Sequence, residues 1–174
     1  MEQKRLGNLE PKKVFSFFEE MCAIPHGSGN TKAISDNCMA FAERRGLRAR
    51  QDDKDNVIIW KAGSAGYENH PAVIVQGHLD MVCAKEKDCP IDMETEGLSL
   101  VVQDGFVSAK GTTLGGDDGI AVAMALAILD DDTIPHPPLE AVFTSDEEIG
   151  LLGASALDCS DLQGRMLLNI DSEE

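Results

Sequence analysis

The feature that most constrains the fold is the alternation of short apolar strands with helical segments along the chain. Strand patterns occur at residues 47–51, 56–61, 72–76, 139–144 and 166–170. Helical periodicity occurs at residues 11–22, 31–46, 117–129 and 150–157. Strands and helices that alternate in this way pack as layers, so the pattern predicts a layered α/β domain.

A β-hairpin is predicted where Asp104 and Gly105 separate the strand patterns of residues 98–103 and 106–109. The Asp-Gly pair tolerates the positive φ angles that a tight hairpin turn requires. We expect these antiparallel strands to lie beside the sheet. The sequence has no internal repeat and no low-complexity linker, so we expect its 174 residues, 43% of them hydrophobic, to form one domain.

The charge balance limits the partners that the chain can bind. It has 15 basic and 31 acidic residues, which gives a formal net charge of −16. A surplus of negative charge repels phosphate backbones and anionic lipid surfaces. We therefore expect neither nucleic acid nor a membrane among its partners.

Three further observations indicate a cytoplasmic protein. The opening residues 1–13 are charged and lack the apolar segment of a secretion signal. The longest apolar run, residues 119–129, is well short of the ~20 residues that span a bilayer. The five cysteines include no C-x-x-C pair, so neither a disulfide framework nor a cysteine zinc site is indicated.

The first candidate site residues are His78 and Asp80, in the sequence GHLD that follows the apolar strand at residues 72–76. Sheets of α/β proteins bind ligands at the carboxyl ends of their strands. Residues two apart on extended backbone point to the same face, so one can bind a metal ion while the other lies nearby. A histidine at a strand end is more often structural, and this pair alone does not decide between the two roles.

A second candidate is the pair Asp117 and Asp118, which follows two glycines and begins an apolar helix. The amino end of a helix stabilises negative charge. A phosphate-binding loop would have Lys and Ser or Thr after its glycines, whereas two aspartates repel phosphate, so we exclude a nucleotide site. For either aspartate considered alone, a helix cap is the favoured interpretation, and the spacing to other carboxylates must decide.

Acidic residues also follow the last two predicted strands. Asp146, Glu147 and Glu148 come after residues 139–144, and Asp171 closes the apolar run that begins at Met166. Most acidic runs are solvated loops. This one leads into the sequence GLLGA at residues 150–154, which we expect to turn back into apolar packing. Complete solvation of the run is therefore disfavoured.

The predicted strand ends and helix start can bring one histidine and several carboxylates to a common point. These residues are His78, Asp80, Asp117, Glu147, Glu148 and Asp171. Without a cation such carboxylates would repel one another strongly. Oxygen ligands with imidazole suit zinc, manganese or cobalt, and a shared carboxylate permits two ions about 3.5–4 Å apart. An EF-hand calcium site is disfavoured, because the acidic runs lack its D-x-[DN]-x-[DN]-G spacing.

Four motifs occur in order along the chain: GHLD at 77–80, GDDG at 116–119, DEEIG at 146–150 and NID at 169–171. Together with IPHGSGNT at 24–31 and GTTL at 111–114, they resemble the aminoacyl-histidine dipeptidases, which belong to the co-catalytic zinc peptidases. The resemblance spans essentially the whole chain. It implies a three-layer α/β/α catalytic domain with a mixed central sheet, of which residues 1–174 are the amino-terminal portion.

The resemblance also implies a set of metal ligands. His78 and Asp171 would bind one zinc ion, Asp117 would bridge two ions, and Glu148 would bind the second. Manganese or cobalt could substitute for zinc. The implied reaction is the hydrolysis of dipeptides that end in histidine, with a small peptide as the partner and a homodimer possible for the full-length protein.

Two residues beside the ligands have implied roles of their own. Glu147 would be the general base, and Asp80 would orient the imidazole of His78 without touching the metal. The family's further histidine and its inserted lid domain do not occur up to Glu174. Catalytic zinc usually has about three protein ligands, so we expect a truncated chain with one competent metal site and no activity alone.

Two alternatives stay open at this point. A tripeptidase or an amidohydrolase of the same zinc group would use the same metal residues, because those residues do not select the substrate. A non-catalytic metal-binding module is the alternative from another class, and the missing ligand favours it.

Overall fold

A computed structural model describes residues 5–171 of the chain. The first four and last three residues of the predicted domain, including part of the charged opening stretch, lie outside the described residues. The helices are α1 (Lys12–Cys22), α2 (Lys32–Arg45), α3 (Gly116–Asp130) and α4 (Leu152–Ala156). The strands are β1 (Arg48–Gln51), β2 (Val57–Lys61), β3 (Val73–His78), β4 (Leu100–Gln103), β5 (Phe106–Ala109), β6 (Leu139–Thr144) and β7 (Met166–Asn169).

The first two helices begin and end within one residue of the predicted bounds. Pro11 is the residue before α1, and α1 buries an apolar face that includes Phe18 and Met21. Helix α2 ends at Gly46, whose φ of 63° is in the left-handed region that glycine adopts most easily. The N–H of Leu47 then donates to the carbonyl of Ala42, which turns the chain towards β1.

Five strands form a mixed sheet in the order β1-β2-β6-β3-β7. The pairs β1–β2 and β2–β6 are antiparallel, whereas β6–β3 and β3–β7 are parallel. The predicted α/β fold with a mixed central sheet is confirmed. The parallel half of this sheet holds the candidate site, because its three strands end at one edge.

The two faces of the sheet are covered differently. Helices α1, α2 and α3 pack on one face, over a core that includes Val57, Ile59 and Phe143. The segment after α4 lies on the opposite face, where the N–H groups of Gln163 and Gly164 each donate to the carboxylate of Glu140. The buried carboxylate of Glu140 thereby fixes this segment against β6.

Two details differ from the sequence predictions. The predicted hairpin forms, but β4 and β5 make a separate two-stranded sheet and do not extend the central one. The apolar run of β3 was expected to be buried in the sheet interior, yet three of the strand's six residues (Val73, Ile74 and Gln76) are only half-buried, because β7 on its outer side is itself exposed. No helix in the described part of the chain is long and apolar enough to cross a membrane.

Candidate metal centre

Three parallel strands bring the predicted site residues to one edge of the sheet. His78, the last residue of β3, pairs with Thr144 of β6, and Gln76 of β3 pairs with Asn169 of β7. Residues that follow these strands therefore emerge side by side. This edge carries Asp80 after β3, Glu147 and Glu148 after β6, and Asp171 after β7.

The loop before α3 brings Asp117 to the same edge. A Cβ on Gly115 would lie 2.9 Å from Sδ of Met81, so the loop passes this close because it has glycine there. The N-cap residue of α3 is Gly115, and neither aspartate occupies the capping position considered from the sequence. Oδ2 of the buried Asp118 instead accepts the N–H of His78 at 3.1 Å, and burial raises the pKa of Asp118 to about 7.

Carboxylates surround Nε2 of His78. This nitrogen lies 3.3 Å from Oδ1 of Asp117, 3.8 Å from Oδ1 of Asp171 and 3.9 Å from Oε2 of Glu147. Two groups of three residues each offer ligand atoms within 4.8 Å of one another: His78, Asp117 and Asp171, and His78, Glu147 and Glu148.

The buried carboxylate of Asp80 lies on the other side of the imidazole. Nδ1 of His78 is 2.9 Å from the carbonyl oxygen of Asp80 and 3.4 Å from its Oδ1. Oδ1 also accepts the N–H of Glu147 at 2.9 Å, and Oδ2 accepts that of Glu148 at 3.3 Å. Asp80 therefore fixes both the ring of His78 and the backbone that carries the two glutamates.

The charges of the site shift the pKa values of its members. Burial lowers the pKa of His78, but the hydrogen bond and charge of Asp80 outweigh burial and raise it to about 9. Burial and the facing carboxylate of Asp171 raise the pKa of Asp117. Burial raises the pKa of Glu147 as well, with Asp171 adding to the effect. Without a cation, the carboxylates thus favour proton uptake.

The donor set fits a divalent ion such as zinc. Each group combines an imidazole nitrogen with two carboxylates, and these are common zinc ligands. Because Asp80 holds Nδ1 of His78, Nε2 is the nitrogen that can bind an ion. Both groups depend on this one nitrogen, so in the described part of the chain they are alternative positions for a single ion.

The turn that carries the glutamates has an unusual backbone. Asp146, Gly150 and Leu151 have φ angles of 50°, 112° and 58°. We expected the chain to turn back into apolar packing here. For the side chains this prediction is wrong, because Ile149, Leu151 and Leu152 are about half exposed, at 53%, 52% and 51%. The backbone does turn back, since the N–H of Gly153 donates to the carbonyl of Ser145 at 3.1 Å.

All six residues selected from the sequence lie together at this edge. Five of them belong to the two groups that could hold an ion, and Asp80 belongs to neither. Sequence reasoning assigned no role to Asp118 beyond a cap, and none to Ser28, whose hydroxyl donates to Asp80 at 2.7 Å. The only sequence signal for Ser28 was its place in the conspicuous stretch at residues 24–31.

The chain matches the profile of a known protein family. The profile of peptidase family M20/M25/M40 matches residues 74–166. This range contains His78, Asp80, Asp117, Glu147 and Glu148. It begins within β3 and ends at the start of β7.

Individual relatives match over nearly the whole chain. The cytosol non-specific dipeptidase of Escherichia coli is 38% identical over 169 residues, which are 97% of this chain and 35% of that protein. The crystal structure of aminoacylhistidine dipeptidase from Vibrio alginolyticus superposes with a TM-score of 0.93 at 38% identity, over 97% of this chain and 34% of the other. The chain thus spans about a third of the length of these two relatives.

A more distant structure shares the fold. A tripeptidase from Staphylococcus aureus superposes with a TM-score of 0.77 at 23% identity, over 94% of this chain and 44% of its own. At that identity, the likeness shows the common fold alone.

Proposed function

The chain belongs to peptidase family M20/M25/M40, and from this premise we propose that a protein containing it hydrolyses dipeptides, including those that end in histidine. Members of this family are metal-dependent peptidases. The E. coli relative is named a non-specific dipeptidase and the Vibrio structure an aminoacylhistidine dipeptidase, which supports a dipeptide substrate. The observation that carries the proposal is the convergence of three carboxylates on Nε2 of the buried His78.

In this proposal His78, Asp117 and Asp171 hold one zinc ion, and Asp117 and Glu148 contribute to a second. A zinc ion held by such residues makes water more acidic and polarises a peptide carbonyl. The donor types of His78, Asp117 and Asp171, and the separation of their ligand atoms by no more than 4.8 Å, support the first of these two positions.

Glu147 is the proposed general base. Its carboxylate is part of the cluster and lies 3.9 Å from Nε2 of His78, while its N–H is fixed by Asp80. The raised pKa of Glu147 suits a group that must both accept and return a proton. Glu147 takes the proton of the attacking water and passes it to the departing amine. Asp80 keeps the imidazole of His78 oriented throughout.

Taken by itself, the 174-residue chain is proposed to bind one zinc ion and to have no peptidase turnover. The two groups share Nε2 of His78, so the described residues fill only one three-ligand position at a time. Asp117 and Glu148 alone leave a second zinc with fewer than the usual ~3 protein ligands. A cytosolic location is proposed by analogy with the cytosol dipeptidase of E. coli.

The test measures zinc per chain and hydrolysis of an Xaa-His dipeptide together. We expect the wild-type chain to bind about one zinc ion without turnover, and a longer protein that contains it to cleave the dipeptide. The variant His78→Ala should lose the zinc, whereas His70→Ala, which alters an exposed histidine next to Tyr67, should retain it. Zinc binding that survives His78→Ala would contradict the ligand assignment, and turnover by the chain alone would contradict its proposed inactivity.

A further inference from the structure

The segment between α1 and α2, residues 23–31, borders the candidate metal centre. The proposed reaction assigns this segment no role. The N–H of Met81 donates to the carbonyl of His26 at 3.2 Å, and the N–H of Ser28 donates to the carbonyl of Met81 at 3.3 Å. The N–H of Gly29 donates to Oδ1 of Asp146 at 2.7 Å. The segment is thus bonded both to the chain after β3 and to the turn that carries Glu147.

In the described part of the chain, Ser28 makes the one side-chain hydrogen bond from this segment to Asp80. Its hydroxyl donates to Oδ2 of Asp80 at 2.7 Å. The same oxygen has one other donor, the N–H of Glu148, at the longer distance of 3.3 Å. Oδ1 accepts the N–H of Glu147 and lies 3.4 Å from Nδ1 of His78. The hydrogen bond from Ser28 is therefore the shorter of the two that hold Oδ2.

We propose that Ser28 is a positioning residue of the metal centre, which acts through Asp80 on both His78 and the backbone of the two glutamates. This inference rests on the proposed function, because it assumes that the cluster binds zinc. The carboxylate of Asp80 contacts the ring of His78 and the N–H groups of both glutamates, and Ser28 supplies the shortest of its four contacts. The hydrogen bond also favours the charged form of Asp80 and contributes to its lowered pKa.

Removal of the hydroxyl should therefore weaken metal binding rather than unfold the chain. Ser28 is half-buried, and its loss leaves Oδ2 of the buried Asp80 with only the longer bond from Glu148. The carboxylate is then held only by the N–H groups of Glu147 and Glu148 and by Nδ1 of His78. The ring of His78 keeps its 2.9 Å contact with the carbonyl of Asp80, but its carboxylate partner is held less firmly. Loss of a partner that orients a metal ligand typically weakens metal binding by about 10–100-fold.

The experiment measures the dissociation constant for zinc by competition with a chromogenic chelator, and the melting temperature of the metal-free chain. The variants are Ser28→Ala, Ser28→Thr and Ser28→Cys, with His78→Ala as the reference for a lost ligand. Threonine keeps the hydroxyl donor. Cysteine keeps the size of serine but is only a weak donor. Ser28→Cys therefore tests the same hydrogen bond if Ser28→Ala fails to fold. The matched control is Ser64→Ala, since Ser64 is also half-buried but bonds to the backbone of His136.

We expect Ser28→Ala and Ser28→Cys to raise the dissociation constant by up to ~10-fold, the lower end of that range, because Ser28 contacts Asp80 and not a metal ligand. Ser28→Thr should restore the dissociation constant, and Ser64→Ala should leave it unchanged. Equal zinc affinity in wild type and Ser28→Ala would overturn the inference while the proposed function stands. An equal loss in Ser64→Ala would also overturn it, because the effect would then be one of general stability. Zinc binding that is absent in wild type, or unaffected by His78→Ala, would instead refute the metal site itself.

Discussion

The adjacent residues Glu147 and Glu148 have different surroundings, although they share one backbone contact. Both N–H groups donate to the carboxylate of Asp80, which fixes the backbone between them. Glu147 is partly buried, whereas Glu148 is exposed. Their different surroundings are consistent with one acting as a base and the other as a ligand.

The proposed base can be tested in a longer protein that contains this chain. We expect Glu147→Gln to lower turnover of an Xaa-His dipeptide by about 10²–10⁴-fold, because the amide cannot accept the proton of water. Zinc content should not change. The paired variant Glu148→Gln should lower zinc content, and an active Glu147→Gln enzyme would exclude Glu147 as the base.

Gly77 lets helix α3 approach β3 closely. A Cβ at this position would lie 2.7 Å from Oδ2 of Asp118 and 3.2 Å from Cγ2 of Val122. We therefore expect Gly77→Ala to lower the free energy of unfolding by about 1–3 kcal/mol through overpacking. Gly116→Ala is the control, because its Cβ would meet only Leu114 at 3.8 Å. Equal denaturant midpoints for the two variants would count against overpacking at Gly77.

The site was largely predictable at the level of residue types, because histidine and acids at strand ends are visible in the sequence. The contacts that orient them were not. Ser28 is 52 residues from Asp80, and Asp118 bonds to the backbone of His78 across 40 residues. A serine in a glycine-rich stretch commonly belongs to a turn, and the second of two aspartates commonly faces solvent. Only the folded chain shows these distant partners.

At the scale of elements, the carboxyl end of α3 depends on a cation from the sheet. Nζ of Lys61, in β2, donates to the carbonyls of Ile128 at 3.3 Å, Leu129 at 3.0 Å and Asp131 at 2.8 Å. The Lys61 side chain is only 10% exposed. The carbonyl of Ile128 also accepts the N–H of Asp131 at 3.2 Å. The ammonium group adds to this bond and acts as a cap at the carboxyl end of the helix.

Removal of this cap should destabilise the whole domain. We expect Lys61→Met to lower the free energy of unfolding by about 1–3 kcal/mol, as hydrogen bonds to a charged donor are lost. Lys12→Met should have little effect, since Lys12 is exposed and pairs only with Glu10 in the described structure. Chemical denaturation of both variants at neutral pH measures the difference, and a Lys61→Met protein as stable as wild type would show that the cap is dispensable.

The same end of α3 provides a test of pH dependence. Hydrogen bonds from the hydroxyl and N–H of Thr133, together with Lys13, lower the pKa of Asp131 to about 2. A carboxylate whose pKa is lowered on folding stabilises the fold above its unfolded value of 3.8, and this contribution is lost as the pH falls to about 2. We expect Asp131→Asn to melt below wild type at pH 7, with the difference shrinking through that window. The exposed Asp88→Asn variant should show no such trend.

The elements themselves were predictable because strands and helices leave different periodicities in the sequence. Strand β6 spans residues 139–144, as the pattern predicts, and Gly46 ends α2. The position of the β4–β5 hairpin was not predictable, since a hairpin pattern specifies its own turn but not the surface that it packs against. The partial exposure of β3 was not predictable either, because it depends on the exposure of its neighbour β7.

At the scale of the whole molecule, strand β7 is an exposed apolar edge. Met166, Leu167, Leu168 and Ile170 are each at least half exposed, and β7 pairs only with β3 in the described sheet. An open edge with apolar side chains promotes pairing between molecules. We expect the isolated chain to associate as its concentration rises, and Leu168→Lys to reduce this association without a change in melting temperature.

Sedimentation velocity over a range of concentrations measures this effect. Phe106→Lys makes the same change of chemistry on the separate hairpin, where Phe106 is 75% exposed. If Phe106→Lys reduced association as much as Leu168→Lys, the hairpin and not the sheet edge would be responsible.

The order of the site residues along the chain has a consequence for the time at which the site can form. His78 leaves β3 early in the sequence, whereas Asp171 follows the last strand of the sheet. During synthesis Asp171 is added roughly 90 residues after His78, a delay of about 5–20 s at typical ribosomal rates. A nascent chain therefore exposes its imidazole and the first aspartates well before their last partner exists. An ion held as proposed by His78, Asp117 and Asp171 can therefore bind only after β7 has been made and docked, whereas the group of His78, Glu147 and Glu148 is complete before β7 is made.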